Sequence, residues 1–223
     1  MNNDTRTPDQ DTLAVDLDAL NSESSRRAFL TKLAAGAAAA TVLASSPISA
    51  FASTGKLTHS AAAFPTSDAE ILNFALTLEH LEAAFYVKAA QAFTGGYLGQ
   101  LVRVLRKDEQ QHVAGLTQAL SGGGFTPVKA APSYKLPAVF HDQKAFLKFA
   151  AVLEDTGVHA YLGQAGSIKT PSILLTAASI VTVEARHTGA IRAMLHRNPT
   201  DGAFDKGLTK AQVLAIAGPL IGK

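Results

Sequence analysis

Cysteine is absent from the sequence, and so is tryptophan. Without thiols the chain has no disulfide framework, no thiolate zinc site, no iron–sulfur cluster and no lipid-modified cysteine at a cleavage site. Any metal it holds must be held by oxygen and nitrogen. A strong charge of either sign is also missing: the formal net charge is +2, and the basic residues are scattered without a stripe of interleaved aromatics. That excludes the electrostatic footprint of a nucleic-acid partner. Long apolar runs are missing too. The longest, Leu33 to Ala44, is a dozen residues and mostly alanine, well short of the roughly 20 needed to span a bilayer. The last scarcity is the most informative. Beyond residue 53 there are only six glutamates, Glu70, Glu79, Glu82, Glu109, Glu154 and Glu184, although solvated helix faces use glutamate freely.

The short apolar run belongs to an export signal. A polar, acidic stretch from Met1 to Glu23 leads into "SSRRAFLTKLAAGAAAATVLASSPISAFAS", with Arg26 and Arg27 followed by Phe29, Leu30 and Lys32. The order of basic region, short apolar region and Ala-x-Ala (Ala50, Phe51, Ala52) is that of a twin-arginine signal peptide. Residues 1–52 are therefore read as extension plus signal peptide and 53–66 as a linker. The mature protein is expected to have no stable membrane anchor and to lie outside the cytoplasm, in the periplasm or beyond, after passage through the twin-arginine export machinery.

Gly and Pro punctuation divides the rest into four long segments of helical periodicity with no convincing strand. The first opens at "SDAE", where Ser67 and Glu70 have the spacing of a capping box, and closes at Gly95 and Gly96. The second runs from about Tyr97 to Leu120 and stops at Gly122, Gly123 and Gly124. In "SGGGFTPVKAAPSYKLPAVFHD", prolines 127, 132 and 137 exclude a helix. The third segment follows Asp142, a good N-cap, and ends near Ser167; Thr170 and Pro171 open the fourth, which ends before Asn198 and Pro199. This spacing predicts an all-α fold: a four-helix bundle over 67–198 with one long crossover between helices 2 and 3, which lets helix 3 start at the end where helix 1 started. The tail, 199–223, adds a short helix from Thr209, where Gln212 completes a capping box.

The glutamates are placed with a regularity the composition alone does not require. Glu79 and Glu109 are thirty residues apart, as are Glu154 and Glu184; Glu109 and Glu184 each have a histidine three residues on, in "DEQQH" and "VEARH". Glu79 and Glu154 each have a tyrosine seven residues on, Tyr86 and Tyr161. The whole pattern repeats with a shift of 75 residues, the mark of a duplicated helical hairpin. At 1.5 Å rise per residue, Glu79 and Glu109 both lie roughly 20–24 Å from the Gly95–Gly96 turn, and Thr170 divides Glu154 from Glu184 just as evenly. Four carboxylates therefore fall in one layer, each inside an apolar stripe such as Leu72, Leu76, Glu79, Ala83, Tyr86. Buried together, they must be protonated or neutralised by cations. Two divalent ions neutralise four carboxylates and accept two imidazoles as well. Glu82 is the ambiguous one: it sits one turn from Glu79 and could compete with it as the ligand, yet its counterpart 75 residues on is Gly157, so the duplication favours Glu79. It is read either as supporting the ligands or as part of the polar face. His80 and His159 lie off the stripe and are expected on the surface, and His59, His141 and His196 fall in tails or loops.

A glutamate from each of two helices and Glu-x-x-His from each of the other two resembles the ligand set of the ferritin-like, di-metal carboxylate proteins. The stretches "AEILNFALTLEHLEAAFY" and "FDKGLTKAQVLAIAGPLI" resemble more closely the exported ferritin-like group that includes desiccation-related proteins. The resemblance covers about Ala61 to the C-terminus. It implies two metal ions, Fe or Mn, held by Glu79, Glu109, His112, Glu154, Glu184 and His187. It further implies that Glu109 and Glu184 bridge both ions, that Glu79 and Glu154 are terminal, and that Tyr86 and Tyr161 hydrogen-bond to the carboxylates across the core. The chain lacks a cysteine-rich electron-donor domain, so an electron donor would be external, and the export signal argues against mineral storage in a cage.

Two functions follow as expectations. One is an oxidase or a catalase-like enzyme acting on dioxygen or peroxide; the other is a stress- or desiccation-associated protein that binds or sequesters metal without turnover. The sequence leaves room for a homo-oligomer. The export reading makes the first testable claim: with Arg26 and Arg27 both changed to lysine, the unprocessed chain should accumulate in the cytoplasm. Mature protein outside the cytoplasm at normal yield would contradict it.

Overall fold

The computed structural model describes residues 64–222; the signal peptide assigned to 1–52 and nearly all of the 53–66 linker lie outside them. Four long helices, α1 (Thr66–Ala92), α2 (Gly96–Gly122), α3 (Gln143–Ala165) and α4 (Pro171–Met194), are followed by a short α5 (Lys210–Ala217) and a 3-10 turn over Gly218–Leu220. Among the described residues there is no β-strand, only one isolated antiparallel bridge, between Tyr134 and Ile221. The bundle consists of two hairpins, α1–α2 and α3–α4, and α1 packs against α3.

Helix ends follow the expected local chemistry at three places and depart from it at two. Asp142 caps α3 by accepting from the Ala145 amide at 2.8 Å. Pro171 occupies the first turn of α4, where its missing N–H costs nothing. Thr209 and Gln212 form the expected capping box on α5. The capping box expected at Ser67 and Glu70 does not form: α1 begins at Thr66 with Pro65 in the cap position, so Ser67 is already helical. Asp68, next along, is fully buried, and its carboxylate accepts from the amides of Lys169 at 3.0 Å and Thr170 at 2.8 Å in the α3–α4 turn. Burial alone would raise the Asp68 pKa, but these N–H groups, with the Thr170 and Ser67 hydroxyls, outweigh it and hold the carboxyl below its ordinary value. Thr170 stands at the N-cap of α4, yet its side chain does not cap the helix.

The direction of α3 corrects the sequence reading. Helix α3 starts where α1 ends, not where α1 starts: Phe146 at its beginning packs against Phe85 late in α1 and Phe93 just after it, and Asp68 at the start of α1 meets the turn after α3. A crossover of about twenty residues is what this reversal requires, because the chain must travel the length of the bundle between α2 and α3. It climbs the outside of α1. Phe125 packs on Phe64, the Val128 amide donates to Asn73 Oδ1, the Val128 carbonyl lies 3.2 Å from His80 Nε2, and Phe140 reaches Phe85 and Lys88. His80 is therefore half-buried under the crossover and His159 is half-buried as well, not on the open surface as expected.

Two apolar clusters fill the bundle, one on each side of the glutamate layer. The first is built on Phe85, Tyr86, Leu105, Phe146, Ala151 and Ile191, and the second on Leu72, Leu76, Leu116, Tyr161, Ile173 and Ile180. The C-terminal tail closes over the outside. Gly163 lets it approach: the Leu208 amide donates to the His159 carbonyl at 2.9 Å, and a Cβ at 163 would collide with the Leu208 carbonyl. Farther on, the Lys135 amide donates to Leu220 O at 2.7 Å and the Gly222 amide to Ser133 O at 2.9 Å, joining tail to crossover.

Candidate metal centre

Each bundle helix brings its stripe to the axis, and each stripe carries one glutamate into the layer between the apolar clusters. Glu79 of α1, Glu109 of α2, Glu154 of α3 and Glu184 of α4 are all buried, none more than 1% exposed. His112 and His187 stand one turn beyond Glu109 and Glu184 and turn their Nδ1 atoms inward. His112 Nδ1 lies 2.9 Å from Glu184 Oε1, 3.1 Å from Glu109 Oε2 and 3.2 Å from Glu79 Oε2. His187 Nδ1 lies 3.1 Å from Glu109 Oε1, 3.2 Å from Glu154 Oε2 and 3.7 Å from Glu184 Oε2.

These six residues form two overlapping groups, Glu79–Glu109–His112–Glu184 and Glu109–Glu154–Glu184–His187. Within each group the ligand atoms lie within 4.8 Å of one another. Glu109 and Glu184 belong to both groups, and each faces the two imidazoles with different oxygens. Two tyrosines brace the outer carboxylates from the opposite helix: Tyr86 of α1 donates to Glu154 Oε1, and Tyr161 of α3 donates to Glu79 Oε1 at 2.6 Å. Burial and the adjacent carboxylates push both phenols well above their ordinary pKa, so both keep the proton they donate. This crossed pairing gives the duplicated hairpins an approximate two-fold relation.

Electrostatics make the arrangement costly without added cations. Burial pushes the Glu79 carboxyl up to about 8, and burial together with neighbouring carboxylates raises Glu82 and Glu154 well above 4.5. Burial would lower both imidazoles, but the glutamates around them more than reverse that and raise His112 and His187 far above 6.5. Glu184 is also penalised by burial, yet the two imidazoles beside it hold it at about 2. In the metal-free protein, protons thus take the place of cations. They do so incompletely: Glu79 Oε2, Glu109 Oε1, Glu154 Oε2, both oxygens of Glu184 and His187 Nδ1 are buried without a hydrogen bond. Several of these atoms lie at contact distance but off the line of any N–H. Buried polar atoms are seldom left so, and here six of them converge on the same two positions. Hard oxygen donors plus imidazole are a donor set for divalent first-row ions, and the residues fit two such ions.

A family model for the ferritin-like domain matches residues 67–197. The chain belongs to the ferritin-like domain family. No curated protein matches the sequence. The match spans all four bundle helices and every member of the two groups, so the ferritin-like domain here is the bundle itself. The buried acidic and histidine cluster of this domain is compatible with metal binding.

One contact at the ferritin-like site has no counterpart in the sequence reading, and one residue left open there is now placed. Asp108 Oδ2 lies 3.3 Å from His187 Nε2, the ring nitrogen turned away from the glutamates, and so fixes the orientation of that imidazole. The signal was present in "DEQQH", because the corresponding position in "VEARH" is Val183. Glu82 is 3% exposed, which removes the polar-face alternative. Its carboxylate occupies the space above Gly157, where a Cβ would stand 3.2 Å from Glu82 Oε1 and 3.6 Å from Glu184 Oε2. Glu82 lies outside both four-residue groups.

The shifts set a pH dependence for the metal-free protein. Glu79 binds its proton in the folded state up to about 8 but only to about 4.5 when unfolded, so folding stability falls as pH rises through that window. The raised imidazoles act in the same direction above their ordinary 6.5. The lowered Glu184 contributes stability that is complete above 4.5 and is lost only as pH falls towards 2. In a domain of this size ~1 kcal/mol moves Tm by about 2–4 °C. Chelated protein should therefore melt several degrees higher at about pH 5.5 than at about pH 8, and divalent metal should restore the difference at the higher pH. Thermal denaturation with and without chelator checks this; a flat profile would contradict a buried, cation-dependent cluster.

Proposed function

We propose that this chain is an exported ferritin-like protein that holds two divalent ions, Fe or Mn, and handles dioxygen or peroxide as an oxidase or catalase-like enzyme. The observation that carries the proposal is the sharing of Glu109 and Glu184 by two otherwise separate groups, each completed by one glutamate and one histidine. In this assignment Glu79 and His112 belong to one ion, Glu154 and His187 to the other, and the shared glutamates to both. Bound there, such ions supply redox chemistry towards small oxygen species.

The remaining chemistry belongs to the protein. Tyr86 and Tyr161 orient the outer carboxylates and hold protons at their hydroxyls beside them. Asp108 orients His187. The apolar clusters on either side keep bulk water from the layer. His112, 11% exposed, is the more accessible of the two imidazoles and marks the side from which a small molecule would approach. The sequence has no cysteine, so reducing equivalents come from another molecule. Arg26 and Arg27 support passage through the twin-arginine machinery, which carries folded proteins and so allows the metals to be loaded before export; the signal itself lies outside the described residues. Membership of the desiccation-related group rests on the quoted sequence stretches.

Burial of every carboxylate favours a second reading, in which the ions are sequestered without turnover in a stress-associated role. Metal analysis of natively exported protein, followed by oxygen- and peroxide-consumption assays, separates the two. The first reading predicts two ions per chain and consumption that chelation abolishes; the second predicts two ions and no consumption. Glu109→Ala and Glu184→Ala should fall towards zero ions per chain, while Glu79→Ala, Glu154→Ala, His112→Ala and His187→Ala should retain nearer one. Full metal content in Glu109→Ala or Glu184→Ala would contradict the shared-ligand assignment.

A further inference from the structure

The two halves of the centre are related by duplication, but they are not equivalent, and the departure is concentrated at one place. Where α3 has Gly157, α1 has Glu82, a full-length acidic side chain at the corresponding position of the repeat. Because α1 and α3 run antiparallel, with Tyr86 meeting Glu154 and Tyr161 meeting Glu79, Glu82 and Gly157 face each other midway between those two contacts. The missing side chain on one helix is thus the space that the carboxylate of the other fills. Among the described residues no group hydrogen-bonds Glu82, although it is nine-tenths buried and more. A carboxylate so nearly buried is favoured by a cation or proton beside it.

Its neighbours indicate which ion it faces. The point above Gly157 that Glu82 Oε1 borders is also bordered by Glu184 Oε2. Glu184 Oε2 is the oxygen on the side of His187, 3.7 Å from its Nδ1, whereas Oε1 is the one at 2.9 Å from His112. Along α1, Glu82 is displaced from Glu79 in the direction of Tyr86, the residue that holds Glu154. Both relations put Glu82 beside the group made of Glu109, Glu154, Glu184 and His187. The atoms of that group left without hydrogen bonds include Glu154 Oε2, Glu184 Oε2 and His187 Nδ1.

We infer that Glu82 is a further carboxylate for the ion held by Glu109, Glu154, Glu184 and His187, seated in the space Gly157 leaves, so that the two ions bind with unequal affinity. This rests on the dinuclear reading above. The same half carries Asp108, whose carboxylate orients His187 from the outer side of the ring. Both departures from the repeat therefore strengthen the same ion.

The test uses Mn(II) titration of the chelator-treated mature protein, with free Mn(II) followed by electron paramagnetic resonance. Wild type should take up two Mn(II) per chain in steps separated by more than the statistical ratio for identical sites. Glu82→Gln keeps the shape of the side chain and removes its charge. It should weaken the tighter step by about tenfold or more, the scale on which supporting groups act at metal sites, and leave the weaker step within about twofold. Single-ion backgrounds assign the effect: Glu82→Gln should weaken the remaining ion in Glu79→Ala and leave it unchanged in Glu154→Ala. Gly157→Ala, whose Cβ would press on the Glu82 carboxylate, should act in the same direction as Glu82→Gln. It also decides the matter if Glu82→Gln loses its helical circular dichroism. Exposed Glu70→Gln is the control. Two unaltered steps in Glu82→Gln, or an equal weakening of both, would overturn the inference while leaving the dinuclear reading intact. Wild type that binds fewer than two Mn(II) would overturn both.

Discussion

Repulsion among four carboxylates enclosed in an apolar bundle is the constraint on which the rest of the structure depends. Glu79, Glu109, Glu154 and Glu184 are sealed between two hydrophobic clusters, where an isolated negative charge is far too costly to persist. The metal-free protein answers with protons: both imidazoles are held charged, Glu79 is pushed up to about 8, and Glu184 is kept ionised between the imidazoles. Divalent cations held among these groups would remove the need for those protons and give partners to the atoms now without them. Any affinity of the site for metal would be the counterpart of its instability without a cation.

Much else in the fold serves to hold that layer level. The short α1–α2 and α3–α4 connections set Glu79 opposite Glu109 and Glu154 opposite Glu184. The crossover reverses α3 against α1, and only in that orientation can Tyr86 reach Glu154 while Tyr161 reaches Glu79. Asp68 ties the start of α1 to the α3–α4 turn, and the tail and crossover close over the outside. Within this frame, departures from the repeat carry information that the repeat itself does not. Asp108, where the repeat has Val183, meets His187, and Glu82 fills the space over its counterpart Gly157.

The helices and the membership of the layer were legible in the sequence because both depend on spacing. Intervals of three, seven, thirty and seventy-five residues, set against a fixed rise per residue, place side chains without knowledge of any partner. What was misread depends on partners. Ser67 and Glu70 have the spacing of a capping box, but Asp68 is drawn into the α3–α4 turn and α1 starts earlier. The direction of α3 turns on where a long extended segment leads, and its prolines say only that it is not helical. His80 is covered by that same segment. Whether Glu82 faced water or the core could not be read from α1 alone, because the answer lies in the glycine of a helix seventy-five residues away.

The central claim is that two ions sit between these four helices at positions fixed by shared glutamates. Anomalous X-ray diffraction from crystals of the natively loaded mature protein, recorded on both sides of the metal absorption edge, tests it most directly. The account predicts two peaks inside the bundle, one bounded by Glu79, Glu109, His112 and Glu184 and the other by Glu109, Glu154, Glu184 and His187. A single internal peak, or metal found only on the outer surface with the six side chains in place, would contradict it.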